Sequence, residues 1–171
     1  MGNFLVKNLR IYQISATTLF LLLCCPIAQA DEDPKILRTK FTTIRYSQEA
    51  EIGGFLWRIS GQRPAGPEAI ELTRNRVDEI VERVQSLLDM YPSSLGFEVF
   101  LTREYPNGQI AVYSHSKRAI TVCLDRVTDG VFAHEVAHAV INQYFTTVGL
   151  PAKVQEVLAQ YVDRHLWTMV V

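Results

Sequence analysis

The chain has 171 residues, of which 48% are hydrophobic and 20% are charged, and its formal net charge is −1. This composition is that of an ordinary globular protein, and it excludes collagen-like and intrinsically disordered chains. The near-neutral charge and the lack of a basic run in the sequence argue against a nucleic-acid-binding protein and against a polybasic membrane-surface patch.

The first 30 residues have the pattern of a secretory signal peptide. Lys7 and Arg10 precede an apolar stretch that is densest over residues 19–25 (LFLLLCC), and a small-residue tripeptide (AQA) ends at Ala30. A positive start, an apolar middle and an A-x-A end predict cleavage after Ala30. We therefore expect one exported domain, residues 31–171, that is secreted or periplasmic and has no stable membrane association. The alternatives are an uncleaved anchor, for which the segment is about long enough, and a lipid-modified cysteine.

Cys123 is the one cysteine of the sequence outside this leader, because Cys24 and Cys25 lie within it. An exported domain with one cysteine cannot form an intramolecular disulfide, so its stability must come from its core, to which a bound metal could add. Cys123 lies in an alternating apolar segment. We interpret it as a small core residue rather than as a metal ligand or a nucleophile.

The segments after the leader predict strands and then a long helix. Residues 41–47 (FTTIRYS) and 54–60 (GFLWRIS) are rich in β-branched and aromatic residues, which is typical of strands. The preceding residues, 31–40, are interpreted as a polar lead-in. After a Pro/Gly connector, apolar residues at three- and four-residue steps predict an amphipathic helix over residues 68–90. It ends just before Pro92, because the residue before a proline resists the helical conformation.

The second half of the chain predicts three short strands and two helices. Thr128 and Asp129 are suitable N-cap residues for a helix that reaches about Phe145. After a connecting loop, Pro151 suits the first turn of a last helix that reaches about Trp167. Together with the first half, this order predicts an α+β fold. The strands are predicted over residues 97–102 (FEVFLT), 110–114 (IAVYS) and 119–124 (AITVCL), with a hairpin loop between the last two.

The first of these two helices contains the sequence HEVAH, residues 134–138. Residues four apart lie on one face of a helix, so His134 and His138 can bind one metal ion. Glu135 is rotated by about 100° from His134, where it can act as a general base without being a ligand. Zinc suits this arrangement, because it lowers the pKa of a bound water to about 7. The alternative is three solvated side chains on a polar helix face.

A catalytic zinc site needs a third protein ligand and keeps one coordination position open. The metzincin extension of the motif is excluded, because Ile141 and Tyr144 stand where it requires Gly and His. If the last helix returns antiparallel, Glu156 comes about level with the two histidines. An ordinary exposed glutamate remains the alternative interpretation of Glu156. The other candidates for the third ligand are His165, Asp163 and His115.

The last helix also has an apolar stripe, which is predicted to be its buried face. Glu156 lies outside this stripe, on a side with the small residues Ala152 and Ala159, which would allow the metal helix to come close. The stripe consists of Val154, Val157, Leu158, Tyr161, Val162 and His165.

The sequences HEVAHAVI and PAKVQEVLAQYV resemble the gluzincin zinc peptidases, in particular the short peptidase-MA-like (minigluzincin) domains. The resemblance extends over about residues 41–165. It implies a zincin-like α+β domain with a helix, a small mixed sheet with an antiparallel edge strand, the HExxH helix and a glutamate helix. It further implies Zn²⁺ held by His134, His138 and Glu156, with Glu135 as general base. A peptide or protein substrate would lie extended along residues 110–114.

The chain also departs from the gluzincin pattern. Gln155 and Val157 stand where family members often have Asn and Gly, and full-length enzymes have a later subdomain with a Tyr or His that stabilises the oxyanion. A zinc-stabilised binding module without activity is therefore the alternative function, and a domain without metal is a third. The retained Glu135 favours the peptidase, since a structural site needs no base. Candidates for the oxyanion-stabilising role are Tyr161, Tyr144, Tyr113 and His115.

Overall fold

The computed structural model describes residues 33–64, 66–105, 108–146 and 149–168. The predicted signal peptide and its cleavage site after Ala30 lie outside these ranges. No helix in the described ranges is both long and apolar enough to cross a membrane. The strands in these ranges are β1 (Lys35–Arg38), β2 (Thr42–Tyr46), β3 (Phe97–Thr102), β4 (Ala111–Ser114) and β5 (Ala119–Cys123), and the helices are α1 (Glu49–Ser60), α2 (Glu68–Leu88), α3 (Asp129–Tyr144) and α4 (Ala152–His165).

The five strands form one mixed sheet in the order β1-β2-β3-β5-β4. The three inner strands are parallel to one another, whereas β1 and β4 pair antiparallel at the two edges. The α+β class and the antiparallel edge strand are thus confirmed. Strand β1 corrects the prediction of a polar lead-in before residue 41. Only Leu37 of this strand is buried, so its apolar signal is too short to be recognised in the sequence.

The four helices contribute to a single core on one face of the sheet. Ile44, Val99 and Ile120 are register partners on that face and are fully buried, and buried residues of every helix pack with them. Between α1 and α3, the rings of Phe55 and Phe132 pack edge to face with their centroids 5.4 Å apart. Such a contact adds about 0.5–1.5 kcal/mol to the burial of the two rings. The core therefore fixes α3, the helix that contains HEVAH, against the sheet.

The strand predicted over residues 54–60 is wrong, because these residues form the second half of α1. The helix begins with a capping box between Gln48 and Glu51, and it ends at Gly61, whose φ of 72° is in the left-handed region. The prediction failed because a seven-residue window rich in aromatic and branched residues does not show the helical period. That period is clear in the buried residues of α1, which are Ile52, Phe55, Leu56 and Ile59.

Helices α3 and α4 approach each other closely. As predicted, Thr128 caps α3, because its side chain accepts a hydrogen bond from the backbone N–H of Val131. Gly130 follows the cap at a point where a Cβ atom would collide with the Asp163 carboxylate of α4. Ala159 of α4 is fully buried against the core. Small residues on both helices therefore allow the close approach that the sequence predicts.

The apolar stripe predicted as the buried face of α4 is largely exposed, which is a further correction. Val154, Val157 and Tyr161 are 43%, 58% and 44% exposed. Val162 is the one buried residue of the stripe. Ala159 is also buried, but it lies outside the stripe. The close approach to α3 selects the face with the small residue for the interface, so the larger apolar side chains turn towards solvent.

Candidate metal centre

The helices α3 and α4 bring three predicted metal ligands together. His134 and His138 lie one turn apart on α3, and their Nε2 atoms are 3.3 Å apart. The Glu156 Oε2 atom on α4 lies 3.5 Å from Nε2 of His134 and 3.6 Å from Nε2 of His138. Among the described residues, these form the one group of three or more His, Cys, Asp or Glu side chains close enough to hold a metal.

The three ligand atoms fit the edges of a tetrahedral zinc site. With zinc–ligand bonds of about 2.0–2.1 Å, neighbouring ligand atoms of a tetrahedron are about 3.3–3.4 Å apart. The observed separations of 3.3, 3.5 and 3.6 Å are close to this value. The histidine side chains are 19% and 20% exposed and that of Glu156 is 48% exposed, so the group opens towards solvent on one side. That opening suits the free fourth position of a catalytic site.

The pKa shifts of His138 and Glu156 favour the protonation forms that bind a metal. Burial lowers the pKa of His138, with a further contribution from the neighbouring His134, so the neutral imidazole is favoured. A hydrogen bond from the Gln160 amide to Oε1, 2.9 Å long, lowers the pKa of Glu156 and leaves Oε2 facing the histidines. Neutral imidazoles and an ionised carboxylate are the forms that bind zinc.

Two side-chain amides hold α4 level with the histidines, and the sequence does not predict them. The Asn142 Nδ2 atom donates to the carbonyl oxygen of His138 at 2.8 Å and to Oε1 of Gln155 at 3.3 Å. Gln155 in turn donates to the carbonyl oxygen of Leu150 at 2.7 Å, which closes the connection between the helices. Gln155 thus acts where gluzincins often have Asn. In the sequence, the position of Gln155 immediately before Glu156 is the one indication of this role.

Glu135 lies beside the ligand group and does not belong to it. Its carboxylate lines a cavity of about 470 Å³ together with His138, His115 and Tyr113. Burial raises the pKa of Glu135, and a hydrogen bond from the backbone N–H of Tyr113 to its Oε2, 2.6 Å long, partly opposes that rise. A half-buried carboxylate with a raised pKa, next to a candidate metal centre, has the properties of a proton acceptor.

The other residues predicted as possible ligands lie elsewhere. Asp163 lies beside Gly130 at the start of α3. The His165 ring stacks on Tyr161 with a centroid separation of 4.3 Å, and its Nδ1 donates to the Tyr161 carbonyl oxygen. His115 lines the cavity but is not part of the ligand group. Of the alternatives considered for the third ligand, Glu156 is therefore the one that meets both histidines.

The four candidates for the oxyanion-stabilising role differ in their exposure and in their position relative to the cavity. Tyr144 and Tyr161 are exposed and pack on Phe145 and His165, respectively. Tyr113 lines the cavity, but its hydroxyl is buried. Burial raises the pKa of this phenol. Of the four candidates, His115 is thus the one whose side chain lines the cavity without being held in the protein interior.

Comparison with known proteins identified no similar protein. No protein-family model matches the chain, and no significant match was found among curated proteins or solved structures. The resemblance to gluzincins consequently depends on the motifs HEVAH and QEVLAQY and on the geometry of the ligand group.

Substitution of Gln160 tests how strongly its hydrogen bond orients the Glu156 carboxylate. We expect Gln160→Ala to weaken zinc binding by about tenfold, at the low end of the range for partners of metal ligands because the contact is exposed. Competition with a chromophoric chelator measures the affinity. Arg164→Ala, an exposed change on the same helix, is the matched control. Equal zinc affinity of the two variants would show that Gln160 does not orient the ligand.

Proposed function

We propose that the protein is an exported zinc-dependent peptidase of the gluzincin type. The observation that carries this proposal is the triangle of His134, His138 and Glu156, whose ligand atoms lie 3.3–3.6 Å apart beside the carboxylate of Glu135. The proposed site uses His134, His138 and Glu156 to hold zinc and Glu135 as general base. Export is supported by the signal-like leader, and the substrate class is a peptide or protein.

The proposed mechanism divides the chemistry between the metal and Glu135. When bound, zinc supplies a Lewis acid that polarises a carbonyl group and lowers the pKa of a water molecule. Glu135 accepts the proton of the attacking water on its carboxylate and returns it to the amine that leaves. Burial favours this role, because it raises the pKa of Glu135 towards a value at which the group can both accept and donate.

The proposed substrate lies along β4, which is an edge strand of the sheet. Residues of β4 line the same cavity as Glu135 and His138, so an extended peptide on this edge would pass beside the ligand group. Backbone pairing of this kind gives affinity without strict dependence on the peptide sequence, and side-chain pockets then provide specificity. The cavity next to β4 therefore defines the proposed cleft.

A zinc-stabilised binding module is the second candidate function. This function is favoured because the cavity offers few groups that could stabilise an oxyanion. Among the described residues, the side chain of His115 lines the cavity, but no accessible tyrosine hydroxyl does. Such a module would bind zinc and a peptide and would hydrolyse nothing.

The test combines metal analysis with hydrolysis of a quenched fluorogenic peptide library by the protein as exported. We expect about one zinc per chain, activity that is abolished by chelation, and recovery of activity when zinc is added back. Zinc and peptide binding without hydrolysis would support the binding module. Protein that takes up no zinc would contradict both functions.

A further inference from the structure

The backbone of β4 has two kinds of position, which the register with β5 distinguishes. Ala111 is opposite Val122 and Tyr113 is opposite Ile120. The backbone N–H of Cys123 donates to the carbonyl oxygen of Ile110, so that pair is hydrogen-bonded. Because hydrogen-bonded and non-hydrogen-bonded pairs alternate in an antiparallel ladder, the N–H and C=O groups of Ala111 and Tyr113 point away from β5. They form the free edge of the sheet.

One group of this free edge already has a partner within the chain. The Tyr113 N–H donates to the Glu135 Oε2 atom at 2.6 Å. Among the described residues, no other group donates a hydrogen bond to this carboxylate. A bond of this length to an ionised acceptor is charge-assisted, and it is directional because the strand fixes the N–H vector. The edge strand and the HEVAH helix are thereby joined at the general base itself.

We infer that the Tyr113 backbone N–H is a positioning group, which holds one oxygen of the Glu135 carboxylate so that the other faces the metal centre. The inference deepens the proposed peptidase function and rests on it. Glu135 has three rotatable side-chain bonds, and a single fixed donor removes much of that freedom before substrate arrives. Tyr113 acts here through its main chain, so any residue other than proline provides the same donor.

This assignment also defines which part of the free edge a peptide can use. The Tyr113 N–H is occupied by Glu135, so it is not available to a carbonyl group of an added strand. The Ala111 N–H points to the same side and has no side-chain acceptor among the described residues. An extended peptide on this edge therefore finds a free N–H donor at Ala111 but not at Tyr113.

Substitution of Tyr113 by proline removes this donor without removing a bond to β5. Proline is tolerated on edge strands where its missing N–H would face away from the ladder, and here its ring also displaces the Glu135 oxygen that the N–H holds. Tyr113→Ala also loses the phenol but keeps the N–H, so it is the matched reference. On the fluorogenic peptide that the native protein cleaves fastest, we expect kcat of Tyr113→Pro to be about 10- to 100-fold below that of Tyr113→Ala, with KM changed less than about twofold. Equal kcat values in the two folded variants would overturn the inference.

A second measurement does not depend on hydrolysis. In the zinc-loaded full-length protein, we expect the Tyr113 amide proton to resonate downfield and to exchange slowly. Glu135→Ala should move it upfield and speed its exchange at least about tenfold, while the ladder amides of Val112 and Ser114 change little. A Tyr113 amide that does not respond to Glu135→Ala would overturn the inference even if Tyr113→Pro fails to fold. Absence of hydrolysis by the native protein would instead contradict the proposed peptidase, so the two failures are distinguishable.

Discussion

Glu135→Gln is expected to lower kcat by about 10²- to 10⁴-fold while one zinc per chain remains bound. Glutamine has the shape of glutamate and still accepts the hydrogen bond from the Tyr113 N–H, but its neutral amide is a very weak proton acceptor. Glu135 lies outside the triangle of ligand atoms, so its replacement leaves the metal-binding groups in place. The measurements are peptide hydrolysis at saturating substrate and zinc content by elemental analysis.

The matched control for this change is Glu79→Gln, because Glu79 is an exposed residue of α2 whose contact is an ion pair with Arg76. Surface ion pairs of this kind contribute about 0–1 kcal/mol, so activity and zinc content should stay near the native values. A Glu135→Gln protein that retains a third of the native kcat would disprove the assignment of the base. Loss of zinc together with activity would assign Glu135 to the metal instead.

Removal of a proposed ligand should remove most of the stabilisation by zinc. At a free zinc concentration of about 1,000 times Kd, binding stabilises the native protein by about 4 kcal/mol. For a domain of this size that corresponds to an increase in Tm of about 8–16 °C. We expect His134→Ala and Glu156→Ala to lose most of this increase, because two remaining ligands hold zinc much more weakly.

Two substitutions outside the ligand triangle are the controls for this experiment. His165→Ala removes a ring that stacks on Tyr161, and Asp163→Asn changes a carboxylate beside Gly130. Neither residue belongs to the ligand group, so both variants should keep the zinc-dependent increase in Tm. If Glu156→Ala shows the native increase while Asp163→Asn or His165→Ala loses it, the third ligand has been assigned wrongly.

The grouping of His134, His138 and Glu156 could be predicted from the sequence because local rules determine it. Residues four apart share a helix face, which is sufficient to pair His134 with His138. The level of Glu156 follows from the rise per residue of two antiparallel helices and a short connection. These rules need no knowledge of the rest of the fold, and the three side chains lie within 3.3–3.6 Å of one another.

Other features could not be predicted, because they depend on the pairing register of strands or on which face of a helix is buried. The bond from Tyr113 to Glu135 requires that Tyr113 occupy a non-hydrogen-bonded position of β4, and a shift of one residue in the pairing would turn this N–H towards β5. On α4, hydrophobicity predicts Val157 as buried, but the contact with α3 selects Ala159. In α1, residue types favour a strand, whereas the spacing of the buried residues is helical.

The few buried residues of α4 have a consequence for the protein without its proposed zinc. Within α4, Ala159 and Val162 are the two buried residues, and both are smaller than the leucine, isoleucine and phenylalanine side chains that anchor the other helices. If the proposed zinc binds, Glu156 would link α4 to the two histidines of α3. Without zinc, the helix is expected to behave as a separate cooperative unit that opens at a lower free energy than the sheet. The backbone amides of α4 would then exchange faster with solvent. The chain near the start of α4 would also become accessible to proteases, so chelation is expected to increase proteolytic cleavage there.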